Sequence, residues 1–206
     1  PGRSCHDAIQ AIFINIKQAP KYVLDADIAK CFDRINHEAL LAKLGTFPEL
    51  RRVIKAWLQA GIVDDGELFP TSEGTPQGGV ISPLLMNVAL HGLVTAIEEN
   101  FQKHMYLPTG RARWTPIVIR YADDFVVLHR DLEVIRRVQE IAAEWLRGMG
   151  LEMKPSKTRI THTLNAMDGP AGFEFLGFSI RQYDRGENLG VHIRAGMRES
   201  FTPNIR

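Results

Sequence analysis

Ile117-Val118-Ile119-Arg120-Tyr121-Ala122-Asp123-Asp124-Phe125-Val126-Val127-Leu128 sets two runs of β-forming residues on either side of adjacent carboxylates. β-Branched and aromatic residues interrupted in this way read as a hairpin with its acids at the tip. Neighbouring carboxylates raise each other's pKa unless a cation lies between them, and Asp oxygens suit Mg²⁺ or Mn²⁺. A polar turn with two solvated Asp side chains accounts for the same residues. The rest of the chain has to decide between the two.

At 206 residues the chain is long enough for one good core or two small ones. Its 45% apolar and 24% charged residues are ordinary for a globular protein. No apolar run approaches the roughly 20 residues that span a bilayer, which argues against a membrane protein. Two cysteines, Cys5 and Cys31, suit a reducing, cytoplasmic setting better than a disulfide framework. Neither they nor the seven histidines fall in zinc-ligand spacing. A net charge of +1 means that any nucleic-acid surface has to be local. The opening Pro1-Gly2-Arg3-Ser4, without an initiator Met, reads as the start of a piece of something longer.

Working outward, Ser4 and Asp7 look like a capping pair for a helix through Ile9, Ile12 and Ile16, which Ala19-Pro20 ends. Tyr22 to Ile28 reads as a strand with Tyr22, Leu24, Ala26 and Ile28 on one face and Val23, Asp25 and Asp27 on the other. Two Asp on one face of a strand otherwise fit for burial are costly. Helices follow through Leu40 and Leu44, and from Pro48 through Trp57. Residues 61–79 are loop-like with room for short strands and close on Gly74-Thr75-Pro76-Gln77-Gly78-Gly79. Ser82-Pro83 predicts one long helix reaching Ile97. Residues 101–116 look like an exposed excursion. After the hairpin, Asp131 caps a helix with a stripe of Ile135, Val138, Ala142, Trp145 and Met149. Residues 151–161 form a basic segment, and Phe173 to Ile180 and Val191 to Ile193 read as two late strands. Helices alternating with hairpins favour an α+β fold with an antiparallel sheet.

Five stretches then occur in a telling order: Asp27-Ile28-Ala29-Lys30-Cys31-Phe32-Asp33-Arg34-Ile35-Asn36-His37; Gly74-Thr75-Pro76-Gln77-Gly78-Gly79-Val80-Ile81-Ser82-Pro83-Leu84; Tyr121-Ala122-Asp123-Asp124; Lys154-Pro155-Ser156-Lys157-Thr158; and Phe175-Leu176-Gly177-Phe178. This succession resembles the motifs of reverse transcriptases, most closely those of group II intron-encoded (maturase-family) enzymes. The resemblance implies a right-hand polymerase with a ferredoxin-like palm, its antiparallel sheet backed by helices. Residues 1–20 and 37–75 would contribute to the fingers or the fingers–palm junction, and 21–36 and 76–206 to the palm. Most of the fingers would precede residue 1. The thumb, the maturase region and any endonuclease domain would follow Arg206. The isolated chain is therefore expected to be weak or inactive, because phosphate contacts dominate nucleic-acid affinity.

Carried over residue by residue, the resemblance makes Asp27, Asp123 and Asp124 the catalytic carboxylates. They would hold two Mg²⁺ ions (or Mn²⁺), and the Ile28 carbonyl would serve the triphosphate-bound ion. Phe32 takes the place of an aromatic steric gate against a 2′ hydroxyl. Gln77 and Gly78 line the nucleotide pocket. Lys157 lies near the triphosphate as a general acid or a neutralising charge, and Leu176 and Gly177 form the primer grip. Arg3 is a weaker candidate for template or nucleotide contact. Asp25 and Asp33 match no catalytic position and read as satisfied structural carboxylates. The implied partners are intron RNA, an RNA template, a DNA primer and deoxynucleoside triphosphates, in an RNA-directed DNA polymerase that copies intron RNA during retrohoming. A non-catalytic, intron-RNA-binding maturase piece is one alternative. A retron or CRISPR-associated reverse transcriptase is another.

Overall fold

Strands from three separate stretches of the sequence meet edge to edge in this protein. The computed structural model describes residues 4–29, 34–59, 62–64, 67–69, 81–101, 105–106, 112–113, 115–186 and 189–195. The elements in order are α1 (Cys5–Ile16), β1 (Tyr22–Ala26), α2 (His37–Leu44), α3 (Pro48–Gln59), β2 (Ile62–Asp64), β3 (Glu67–Phe69), α4 (Ser82–Ala89) and α5 (Leu93–Glu99). After these come β4 (Met105–Tyr106), β5 (Ala112–Arg113), β6 (Ile117–Tyr121), β7 (Asp124–His129), α6 (Leu132–Gly148), β8 (Arg159–His162), β9 (Phe173–Phe175), β10 (Phe178–Asp184) and β11 (Leu189–Ala195).

Among the described residues the central sheet runs β6-β7-β1-β8, antiparallel throughout. The hairpin β6–β7 lies on one side of β1, and the last strand, β8, on the other. With helices between β1 and the hairpin and α6 between the hairpin and β8, this is the ferredoxin-like βαββαβ arrangement. β1 is covered on both faces, so period-2 alternation sends its side chains into two cores. Leu24 and Ala26, with Phe125 and Val127 of β7, pack against α2 to α6. Val23, with Val126 and Leu128, packs against α1 and the antiparallel sheet β9-β10-β11. The molecule is thus layered as helices, sheet, then one helix with a small sheet.

Local chemistry explains the helix ends. Ser4 and Asp7 form the expected capping box, the Asp7 carboxylate accepting from the Ser4 backbone N–H at 2.6 Å. Asp131 accepts from the Glu133 backbone N–H at 2.9 Å to start α6. The long helix expected from Ser82 to Ile97 is instead two, α4 and α5, broken at Gly92 with φ 94°. A left-handed residue cannot continue a right-handed helix. Leu84, in the first turn of α4, is 61% exposed.

Three strand boundaries also differ from the sequence reading. β1 stops at Ala26, and Ile28 joins the sheet through a single bridge to Met153. The basic segment after α6 contains β8, which the sequence does not announce. The single strand expected from Phe173 to Ile180 is a hairpin, β9 and β10, turning at Leu176-Gly177.

Candidate active site

The acids collect where β1 and β7 run out past their cover. Ala26 of β1 faces Phe125 of β7 in register, so Asp27 leaves β1 beside the start of β7, where Asp124 stands. Asp25, Asp27 and Asp124 share the sheet face of Val23 and Val126, and all three line one open cleft of about 810 Å³. Asp123 is the second residue of the two-residue turn between Tyr121 and Asp124. Its neighbour Ala122 has φ 55°, a left-handed value rare for a residue with a side chain. Arg120 pins that turn, donating from Nη1 to the Ala122 carbonyl at 2.6 Å and to the Asn87 side chain of α4 at 3.4 Å.

The opposite wall is basic. Lys154 donates its backbone N–H to the Asp27 carbonyl at 2.8 Å, and its own carbonyl accepts from the N–H groups of Lys157 and Thr158. This turn swings Lys157 over Asp27, with Nζ 2.8 Å from Oδ2. Two residues on, Arg159 Nε donates to Asp25 Oδ2 at 3.2 Å. Asp27 and Ala29 both bond to the 152–154 segment, the first through its carbonyl and the second through its N–H, so the Ile28 carbonyl between them faces away from that segment.

The electrostatics follow from this crowding. Burial, then the charges of Asp123 and Asp27, push the Asp124 carboxyl up from its ordinary value, with Lys157 pulling the other way. Burial also raises Asp25, opposed by its bond to Arg159. The hydrogen bond to Asp27 and the charges of all three site acids raise the Lys157 ammonium. Asp27 and Asp124 line the cleft with Lys157, and Asp123 lies near enough for its charge to act on the same lysine. Among the described residues no three acidic, imidazole or thiolate groups already stand at ligand distance from a common point. The donor set nonetheless fits a hard cation: it offers carboxylate oxygens that repel one another, and one of them already holds an ammonium stand-in.

The third wall is the β9–β10 hairpin. Phe175 pairs with Phe178 across Leu176 (φ 52°) and Gly177 (φ 80°), and both turn residues line the cleft with the acids. Two successive left-handed residues are what a tight hairpin turn of matching twist requires, but leucine is an unusual choice for the first. Gly172 fastens this hairpin to β8: its N–H donates to the His162 carbonyl at 2.9 Å and its carbonyl accepts from Thr161 Oγ1 at 3.0 Å. A Cβ at Gly172 would lie 2.4 Å from the Ile180 carbonyl oxygen.

Of the residues singled out in the sequence, the structure brings Asp27, Asp124, Lys157, Leu176 and Gly177 to one cleft. Asp123 is in the hairpin turn next to Asp124, and the Ile28 side chain is buried in the helix-side core. Phe32, Asp33, Gln77, Gly78 and Arg3 lie outside the described residues. Asp25 is a paired carboxylate, in keeping with its exclusion. Sequence reasoning passed over Arg159, Arg120 and Gly172. The first carried a signal: Lys157 and Arg159 repeat at the two-residue period of Asp25 and Asp27.

Residues 1–180 match the family model described as reverse transcriptase (RNA-dependent DNA polymerase). The chain is 30% identical over 205 residues to Protein YkfC of Escherichia coli, covering 86% of this chain and 52% of that protein. It is 29% identical over 164 residues to Group II intron-encoded protein LtrA of Lactococcus lactis, covering 78% of this chain and 26% of that protein. It thus spans about half of the first relative and about a quarter of the second. Among solved structures, telomerase from Candida tropicalis superposes with a TM-score of 0.66 at 13% identity, covering 99% of this chain and 35% of that one. Telomerase from Candida albicans gives 0.60 at 15% identity, over 85% of this chain and 31% of that one. At such identities the likeness shows the fold alone, an α+β polymerase palm. With the family model spanning most of its length and the carboxylates facing one cleft, the chain belongs to the reverse transcriptase family.

Proposed function

We propose that this chain is the palm-bearing part of an RNA-directed DNA polymerase of the group II intron class, using Asp27, Asp123 and Asp124 for nucleotidyl transfer. Use of divalent metals is general to the family; the reading here is two Mg²⁺ ions, with Mn²⁺ able to replace them. One observation supports it above the others. Carboxylates from the end of β1 and the tip of the β6–β7 hairpin face one cleft with a lysine and a strained hairpin turn.

Paired ions, when bound, supply Lewis-acid activation of a primer 3′ hydroxyl and stabilisation of the leaving oxygens. The chain's own residues do the holding. Asp27 and Asp123 provide carboxylate oxygens from two adjacent strands, and the Ile28 carbonyl serves the triphosphate-bound ion, a role that rests on the resemblance of its motif. Asp124, whose carboxyl is harder to ionise, makes the looser contact. Lys157 neutralises, or protonates, the departing pyrophosphate. The Leu176-Gly177 turn holds the primer terminus toward the acids, and Ala122 and Arg120 fix the tip that carries Asp123. Phe32 as gate, and Gln77 with Gly78 as pocket floor, rest on the resemblance of their motifs. The substrates are a DNA primer on an RNA template and deoxynucleoside triphosphates, with intron RNA as the natural template.

RNA-templated primer extension by the parent protein tests this reading. Asp123→Asn should abolish extension while leaving template-primer binding intact. Undiminished extension by that variant would overturn the assignment.

A further inference from the structure

The cleft holds two acid–base pairs that are built differently. β1 and its continuation present Asp25 and Asp27 on one face, and the neighbouring chain presents Lys157 and Arg159 at the same period of two. Asp25 and Arg159 are register partners in the β1–β8 ladder. Beyond that pair the register shifts, the Asp27 carbonyl accepting from the Lys154 N–H and Ile28 bridging to Met153, so Lys157 reaches Asp27 from a turn and not as a ladder partner.

The two cations are held differently. Arg159 lies within a paired strand, and its planar guanidinium has a fixed partner in Asp25, whose side chain is 19% exposed. Lys157 lies outside the strand, in the turn that begins at Lys154. Its ammonium sits on a flexible four-carbon stem, and its side chain is 60% exposed. The Asp27 side chain is 23% exposed, much as that of Asp25 is, so the pairs differ in their cations: Arg159 is held in its strand, whereas Lys157 can swing into water and leave Asp27 to another cation. The other charged groups on this space are Asp123 and Asp124 at the tip, and Glu174 and Arg181 on the β9–β10 wall.

We propose that Lys157 is a removable placeholder for a divalent cation on Asp27, while Arg159 is the permanent partner that keeps Asp25 out of the metal-binding set. This rests on the reading of Asp27 as a metal ligand given above. Without metal, the ammonium offsets the repulsion between Asp27 and the two acids of the hairpin tip. With a divalent cation on the Asp27 carboxylate, Lys157 would be free to turn into the open cleft.

The test is Mn²⁺ binding to the 206-residue chain, followed by the electron-paramagnetic signal of free Mn²⁺, together with thermal melting with and without Mn²⁺. Lys157→Met should bind Mn²⁺ about fivefold more tightly, the scale of a half-exposed ion pair. It should also melt below wild type without metal and level with it at saturating Mn²⁺, because the lysine contributes in the metal-free state alone. Arg159→Met should not tighten the Asp27 site, and its melting deficit should persist with Mn²⁺. Unchanged or weaker Mn²⁺ binding by Lys157→Met, with binding lost in Asp27→Asn, would overturn the placeholder and leave Asp27 as a ligand. Equal tightening by the Lys157 and Arg159 variants would also overturn it, reducing the effect to general charge. Unchanged binding by Asp27→Asn would remove the metal reading itself.

Discussion

Asp27 and Asp123 come from different elements, and the site depends on a few backbone details that bring them together. At the residue scale, either Asn variant should lose RNA-templated extension by on the order of 10³-fold, since each removes a charge that serves the reaction centre. The melting transition should move little, because the one ion pair involved, Lys157–Asp27, is partly exposed and worth at most about 1 kcal/mol. Steady-state extension with parallel urea melts checks both halves of that expectation. Ala122 makes a second residue-scale case. At φ 55°, Ala122→Val should destabilise the protein by about 1–2 kcal/mol, because a β-branched side chain tolerates the left-handed region poorly. Ala122→Gly should be near neutral in the same melts. The sequence singled out Asp27, Asp123 and Lys157 because each lies in a short motif with its own chemistry. It was silent on what satisfies Asp25, because Arg159 reaches Asp25 only through a strand pairing that local residues do not encode.

At the scale of elements, the β9–β10 hairpin depends on Gly172 more than on its own turn. Gly172 has φ 93°, and any Cβ there would strike the Ile180 carbonyl and Arg181 Cβ, neither of which can swing aside as a side-chain tip would. Gly172→Ala should therefore cost about 2–4 kcal/mol, combining backbone strain with overpacking. Because the displaced hairpin carries Leu176 and Gly177, primer binding should weaken in step. Chemical melts and primer-template titration measure the two effects. Strongly periodic, well-capped helices such as α1 and α6 were legible, and so was the β6–β7 hairpin. β8 was not: Arg159-Ile160-Thr161-His162 has one aliphatic residue, and its strand form comes from pairing with β1 rather than from propensity. The split between α4 and α5 was missed because Gly92 interrupts the chain without interrupting the apolar spacing.

For the whole molecule, the two cores described lie on opposite faces of the central sheet, and the end of that sheet away from the acids contributes to stability. There His162 is buried with Nδ1 accepting from the Asn165 backbone N–H at 2.9 Å, and its ring meets Tyr22 edge-on at 4.7 Å between centroids. Burial lowers its pKa, so the folded protein holds this ring neutral more firmly than the unfolded chain does. Its contribution to stability is then full above the unfolded value of about 6.5 and declines as pH falls toward the folded value. Asp25 and Asp124, raised in the fold, work in the opposite sense, so the comparison must be made against His162→Gln. Between pH 7 and pH 5 wild type should lose more melting temperature than that variant does. The ferredoxin-like class was legible from alternating helices and hairpins together with the ordered motifs. The sheet order and the double cover of β1 were not, since they are set by packing between distant segments. The central claim is that Asp27 and Asp123 share a cation, and anomalous scattering from crystals of the chain soaked with Mn²⁺ and a deoxynucleoside triphosphate tests it most directly. The expected peak lies about 2.1 Å from a carboxylate oxygen of each residue, and a peak touching neither, or Asp27 alone, would contradict it.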